Sequence, residues 1–139
     1  MKLEWDEAMS TGVKEVDDAH KLLMVWINKL TVDMRSGNGR KEIFSVLNFL
    51  EQYAALHFAH EEGCMLQYQC PSAESNKKAH EEFLEYFKRM KKQIETDGPT
   101  VKAVIDIKDA MGNWLKNHIM KTDICLAQCV KDGSTAIDV

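Results

Sequence analysis

The chain has no run approaching the ~20 apolar residues that a helix needs to cross a bilayer, so a membrane-spanning protein is not expected. No apolar stretch follows Lys2, so a secretory leader is not expected either; a cytoplasmic protein with four reduced cysteines is the default. Excess positive charge is also missing: the net charge is -4 and the pI about 5.7, which argues against nucleic acid as the main partner. The basic run Lys88-Arg89-Met90-Lys91-Lys92 reads as a solvated helix face. Internal repeats and low-complexity segments are absent. Several catalytic signatures are absent too. His60-Glu61 and His80-Glu81 open like zincin motifs but lack the second His. No Glu-x-x-His pair of the ferritin-like type occurs, nor a Gly-rich phosphate loop, nor a Gly-x-Ser-x-Gly elbow. What is left is a 139-residue chain, 45% hydrophobic and 29% charged, with the size and balance of one globular domain.

Four stretches show helical periodicity. The first is expected to start near Asp17 or Asp18 as N-cap and to carry His20, Leu23, Met24, Ile27, Leu30 and Met34 on one side, ending at Gly37-Asn38-Gly39. The second runs from about Arg40 to Cys64, with Ile43, Val46, Leu47, Leu50, Tyr53, Ala54, His57 and Glu61 on its stripe. A loop with Pro71 follows. The third runs from about Ser75 to Glu95, aligns His80, Phe83, Leu84, Phe87, Met90 and Ile94, and stops at Asp97-Gly98-Pro99. The fourth starts near Thr100 and is expected to align Val101, Val104, Ile105, Met111, Leu115, His118 and Ile119. Short connections imply an all-α, antiparallel up-down-up-down four-helix bundle, residues 1–130, with an N-terminal extended arm and a flexible tail over 131–139.

A buried carboxylate is unfavourable unless paired or bound to a cation. The apolar stripe of the second helix runs directly into His57 and Glu61, which lie about 40° apart at ~100° per residue and can reach one centre. His20, His80 and His118 occupy inward stripes of the other helices. Taken singly, each reads as a satisfied core histidine. Four of them with a Glu, each on an inward stripe, read better as ligands of iron or another first-row metal. His118 and Asp123 are about 140° apart on a regular helix, so spacing leaves Asp123 open between ligand and solvated residue unless the helix ends, tightens or bulges between them. His60 lies at the stripe's edge and reads as a packing or exposed residue, with a supporting hydrogen bond to a ligand as the sharper alternative.

Several motifs then occur in one order: Trp5 with Gly12-Val13, Asp17-Asp18-Ala19-His20-Lys21-Leu22, His57-Phe58-Ala59-His60-Glu61-Glu62, His80-Glu81-Glu82-Phe83, and Trp114-Leu115-Lys116-Asn117-His118-Ile119 followed by Asp123. From Trp5 to about Cys129 the chain resembles the hemerythrins, specifically the bacterial hemerythrin-like domains. The resemblance implies a non-haem di-iron centre, two irons with an oxo or hydroxo bridge. Glu61 and Asp123 would be bridging carboxylates, His20 and His57 ligands of the iron that binds O2, and His80 and His118 ligands of the other iron. It also implies that the fourth helix breaks after His118 and returns Asp123 to the irons, and that Leu23, Phe58, Trp114 and Ile119 line an apolar O2 pocket as well as packing the core.

One position departs from the pattern. Where the family has His-x-x-x-His, the chain reads Asn76-Lys77-Lys78-Ala79-His80, and an amide oxygen is a weaker ligand than imidazole. Asn76 is therefore a weak or vacant ligand position. The leading expectation is an O2-binding protein for storage, delivery or sensing, with O2 or another small diatomic as partner. The alternative is a di-iron oxidase, peroxidase or NO-handling protein that uses the open position. A metal-free helical scaffold ranks last. Cys64, Cys70, Cys125 and Cys129 are expected near one end of the bundle as independent thiols, with a disulfide or soft-metal site as the sharper alternative.

Overall fold

The computed structural model describes residues 3–35 and 40–129, with the side chains of 31, 33–35 and 40 left aside. A 3-10 turn, Glu7–Met9, interrupts the arm expected to be extended; the long helices are α1 (Lys14–Arg35), α2 (Arg40–Gln67), α3 (Ala73–Asp97) and α4 (Val101–His118), and α4 runs on into a π-helical turn, Ile119–Asp123. No strand occurs among the described residues, and no helix there is long and apolar enough to cross a membrane. α1 packs on α2 and α4, and α3 closes the ring against both. With short connections after α2 and α3, this is the expected all-α up-down-up-down bundle. The expected tail over 131–139, the Gly37–Gly39 stop and the Met34 side chain lie outside the described residues.

The core is one stripe per helix. Leu23, Met24, Ile27 and Leu30 of α1 meet Ile43, Val46, Leu47, Leu50 and Ala54 of α2, Phe83, Phe87 and Ile94 of α3, and Val104, Ile107, Met111 and Leu115 of α4. The α4 stripe differs from the expected one. Val101 is 59% and Ile105 41% exposed, whereas Ile107 is fully buried. The positions that repeat near 3.6 residues and point inward are Val104, Ile107, Met111, Leu115 and His118; Val101 and Ile105 fall to one side of that line.

The ends of the helices are set by local chemistry. α1 starts at Lys14, upstream of the expected Asp17 or Asp18 cap. Asp17 instead holds the arm: its carboxylate accepts from the Thr11 amide and hydroxyl at 2.8 Å each and from the Ser10 hydroxyl at 2.6 Å. Asp18 pairs with exposed Lys14 at 2.7 Å. Gly12 makes the turn into α1 at φ +79°, a region that only glycine enters freely. Further up, Asn28 grips the arm at both edges, its Oδ1 accepting from the Leu3 amide at 2.9 Å and its Nδ2 donating to the Leu3 carbonyl at 2.8 Å. α2 closes with paired bonds from Cys70 to the Met65 carbonyl (2.8 Å) and from Gln69 to the Leu66 carbonyl (3.1 Å), with Gln69 left-handed at φ +54°. That is a Schellman closure, and its usual apolar contact is present because Met65 and Cys70 share a small cluster with Val16 and Leu126. α4 is capped by Thr100, whose hydroxyl accepts from the Ala103 amide at 3.1 Å.

The α4 phase is directly testable. Ile107→Ala is expected to remove about 2–5 kcal/mol of unfolding free energy, and Ile105→Ala about 0.5 kcal/mol or less, by denaturant titration. Equal losses would contradict the phase described here.

Candidate metal centre

Each helix delivers its polar residue to the same layer. His20 comes from α1, His57 and Glu61 from α2, His80 from α3, and His118 with Asp123 from α4 and its π-helical turn; all six are buried. They form two overlapping groups whose ligand atoms lie within 4.8 Å of one another: His20, His57 and Glu61, and Glu61, His80, His118 and Asp123. Glu61 belongs to both. Its Oε2 faces His20 Nε2 (3.2 Å) and His57 Nε2 (3.4 Å), and its Oε1 faces His80 Nε2 (3.2 Å). Asp123 is divided in the same way, with Oδ2 at 3.2 Å from His20 Nε2 and Oδ1 at 3.3 Å from His118 Nε2.

Asp123 reaches the site because α4 widens. Ile124 donates to the Ile119 carbonyl at 3.0 Å, a bond spanning five residues instead of four. A turn of that width brings residues five apart into line, so Asp123 stacks under His118. The helix therefore does not break after its His, as the resemblance implied. It bulges, and residues 125–129 are again helical.

The close approaches are not good hydrogen bonds. Both ring nitrogens of His20 and of His57, Glu61 Oε2 and Asp123 Oδ1 are buried without an aligned partner. Buried polar atoms normally have one. Lone pairs that converge at 3.2–3.4 Å yet miss each other's hydrogens are what a cation between them would satisfy. Neutral imidazoles with carboxylates suit a first-row divalent metal. The residues present fit such an ion.

Protonation in the metal-free chain reflects the same crowding. Burial opposes charge on His20, but the carboxylates of Asp123 and Glu61 more than offset it and raise its pKa to about 9. His80 is raised on similar grounds, against burial, by Glu61 and Glu62. Burial lowers His57; Glu61 opposes this, and the His20 charge adds to it. Burial alone would push Glu61 up, yet His20, His57, His80 and Asp123 around it hold it well below the usual carboxylate range.

Asn76 lies inside the centre, fully buried in the first turn of α3. Its Oδ1 is 2.6 Å from His118 Nε2, and its Nδ2 donates to Glu61 Oε1 at 3.0 Å and to Met65 Sδ at 3.2 Å. His60 is exposed, with Nε2 3.9 Å from Cys64 Sγ, away from the centre. Leu23, Phe58 and Trp114 line an apolar cavity of about 20 Å³ with Ile27, Ala54 and Leu115 among others; Ile119 is buried but not part of its wall. Phe58 also stacks on His80 (ring centres 3.9 Å apart) and Trp114 on His118 (4.4 Å), a ring-holding role that periodicity did not indicate. Periodicity also missed Glu62, whose Oε2 lies 2.8 Å from His80 Nδ1; as the residue beside Glu61 it carries no distinguishing spacing. All four cysteines are free thiols. Cys64, Cys70 and Cys129 gather around the Met65–Leu126 cluster, and Cys125 is exposed. Burial, then the Cys129 thiol beside it, pushes Cys70 up to about 12. No thiol belongs to either cation-capable group among the described residues.

Buried imidazoles and carboxylates gathered between four helices define a helical cation-binding domain. Residues 11–127 match the family model described as Hemerythrin HHE cation binding domain. The chain is 29% identical over 135 residues to a bacteriohemerythrin of Pseudomonas aeruginosa, covering 97% of this chain and 86% of that protein. It is 29% identical over 129 residues to a bacteriohemerythrin of Methylococcus capsulatus (92% and 96% covered) and 26% identical over 121 residues to a hemerythrin-like protein of Naegleria gruberi (86% and 87%). The chain belongs to the hemerythrin family, whose domains bind non-haem iron.

The His20 proton carries a prediction. It stabilises the metal-free fold fully below pH about 6.5, and that contribution is lost as pH rises through about 9. A cation taking Nε2 requires the neutral ring, so binding at pH 7.5 should release protons. Calorimetric Zn²⁺ titration of metal-free protein should give heats that scale with the buffer's ionisation enthalpy, and His20→Ala should release fewer protons. Equal heats in every buffer would contradict this. Alkylation without reductant, read by mass spectrometry, is expected to modify exposed Cys125 first and buried Cys70 last, with all four thiols labelled once the protein is unfolded.

Proposed function

We propose that this domain holds two non-haem irons and binds O2 for storage, delivery or sensing. The observation that carries the reading is the division of both carboxylates: Glu61 and Asp123 each turn one oxygen toward His20 and the other toward His80 or His118. A single-cation site needs no such division, whereas two neighbouring cations do. In this reading Glu61 and Asp123 would be shared between the two irons, His20 and His57 would hold one of them, and His80 and His118 would hold the other. Each bound iron would supply one electron reversibly, two in all, toward a diatomic ligand.

The chain's own part is to position and to exclude. Phe58 and Trp114 fix two ligand rings by stacking, and with Leu23 they present an apolar wall that admits a small neutral molecule more readily than an ion. Glu61 and Asp123 would offset half of the charge of two divalent cations inside the bundle.

Asn76 supports a second reading, a di-iron oxidase, peroxidase or NO-handling protein. In place of an imidazole it offers an amide oxygen, 2.6 Å from His118 Nε2, while its NH₂ stays engaged with Glu61. Such a position is weakly held and open to an exogenous ligand. Purified protein is expected to contain close to two irons per chain, and Asn76→His to bind iron more tightly; roughly one iron or none in the wild type would count against the pair of positions. Cycling the anaerobic ferrous protein between O2 and argon separates the readings. A spectrum that appears and disappears reversibly supports O2 binding, and a single irreversible change or peroxide turnover supports the enzyme.

A further inference from the structure

Two constraints hold His80, and they do different things. Phe58 lies parallel to its ring, centres 3.9 Å apart and planes 5° from parallel. A parallel face fixes the plane of an imidazole but not which edge points into the centre. Glu62 Oε2, 2.8 Å from His80 Nδ1, fixes the edge. Nε2 lies 3.2 Å from Glu61 Oε1 and 3.2 Å from His118 Nε2, so carboxylate acceptors face both ring nitrogens; a cation that takes Nε2 leaves the proton of the neutral ring on Nδ1, where the shorter Glu62 contact accepts it. The other side of the centre is built differently, because Nδ1 of His20 and Nδ1 of His57 are buried with no partner.

We propose that Glu62 is a positioning residue for the His80 side of the metal centre, holding His80 in the tautomer that can ligate and raising the basicity of its Nε2. The proposal rests on the metal-centre reading above. It makes the two positions unequal: the one that includes His80 has a carboxylate-braced imidazole, and the one formed by His20 and His57 has none. Glu62 keeps 23% of its side chain exposed, so its charge needs no further partner within the bundle.

The test is Zn²⁺ binding by the full chain, metal-free at the start and followed by competition with a chelating indicator. Glu62→Ala is expected to weaken one of two Zn²⁺ equivalents by roughly 10- to 100-fold and to leave the other unchanged. Glu62→Gln keeps an acceptor oxygen but no charge, so it should weaken the same equivalent by less, and it carries the test if the Ala variant does not fold. Nitrogen-15 spectra of the Zn²⁺-loaded wild type should show His80 protonated at Nδ1 with slow exchange, a signal that broadens in Glu62→Ala. A merely structural α2–α3 contact would lower Tm in the variants and move neither readout. Two-equivalent wild-type binding that is unchanged in both variants overturns this proposal alone, as does His80 protonated at Nε2 in the loaded wild type. Failure of the wild type to take up Zn²⁺ overturns it together with the metal-centre reading.

Discussion

Two carboxylates buried at the middle of a helical bundle are the constraint on which the rest depends. Glu61 is fully buried and Asp123 nearly so. Placing an ion in such a setting costs several kcal/mol unless opposite charge and hydrogen-bond donors surround it. Here imidazoles from all four helices converge on them, so the rotation and depth of each helix are tied to one layer. The apolar stripes on either side can slide or repack with modest loss. The charged layer tolerates neither, because a shift of about one residue would leave a carboxylate facing hydrocarbon.

The layer is completed by departures from regular helix. The five-residue turn after His118 brings Asp123 toward it, and without that turn the carboxylate would sit about 140° away from His118 around the helix. The helix gives up regular hydrogen bonding over one turn, and wide turns of this kind recur at functional sites. Just below, the closure of α2 places Met65 and Cys70 against Leu126, so the segment after the wide turn is packed from beneath. The arm works from the outside, clamped to α1 by Asp17 and Asn28.

The two halves of the centre are built from different materials. On one side His20 meets His57 edge to face, with ring centres 4.5 Å apart and outer nitrogens unpartnered. On the other side, stacked aromatics, Glu62 and Asn76 brace or cap the rings of His80 and His118. Stacking restricts rings without adding charge, and the carboxylate adds both charge and direction. Asn76 satisfies its own amide by spanning His118 and Glu61.

The sequence by itself determined the four helices, the inward stripes of the first three and the choice of candidate ligands, because amphipathic periodicity and the placement of His57 and Glu61 on a stripe are local properties. It left Asp123 open, since a regular helix places it on the wrong face and no residue in Ile119-Met120-Lys121-Thr122 announces a wide turn. It misplaced Val101 and Ile105 in the α4 stripe because a short apolar run fits two helical phases. Tertiary structure decided those points. The phase of α4 is chosen by what packs against Ile107 and Met111, the wide turn is held by burial of Ile119 and Leu126, and the pairing of Glu62 with His80 exists only because α2 and α3 lie side by side. Which residues can ligate is a matter of side-chain chemistry, whereas which atoms face one another is a matter of how four helices settle around two buried charges.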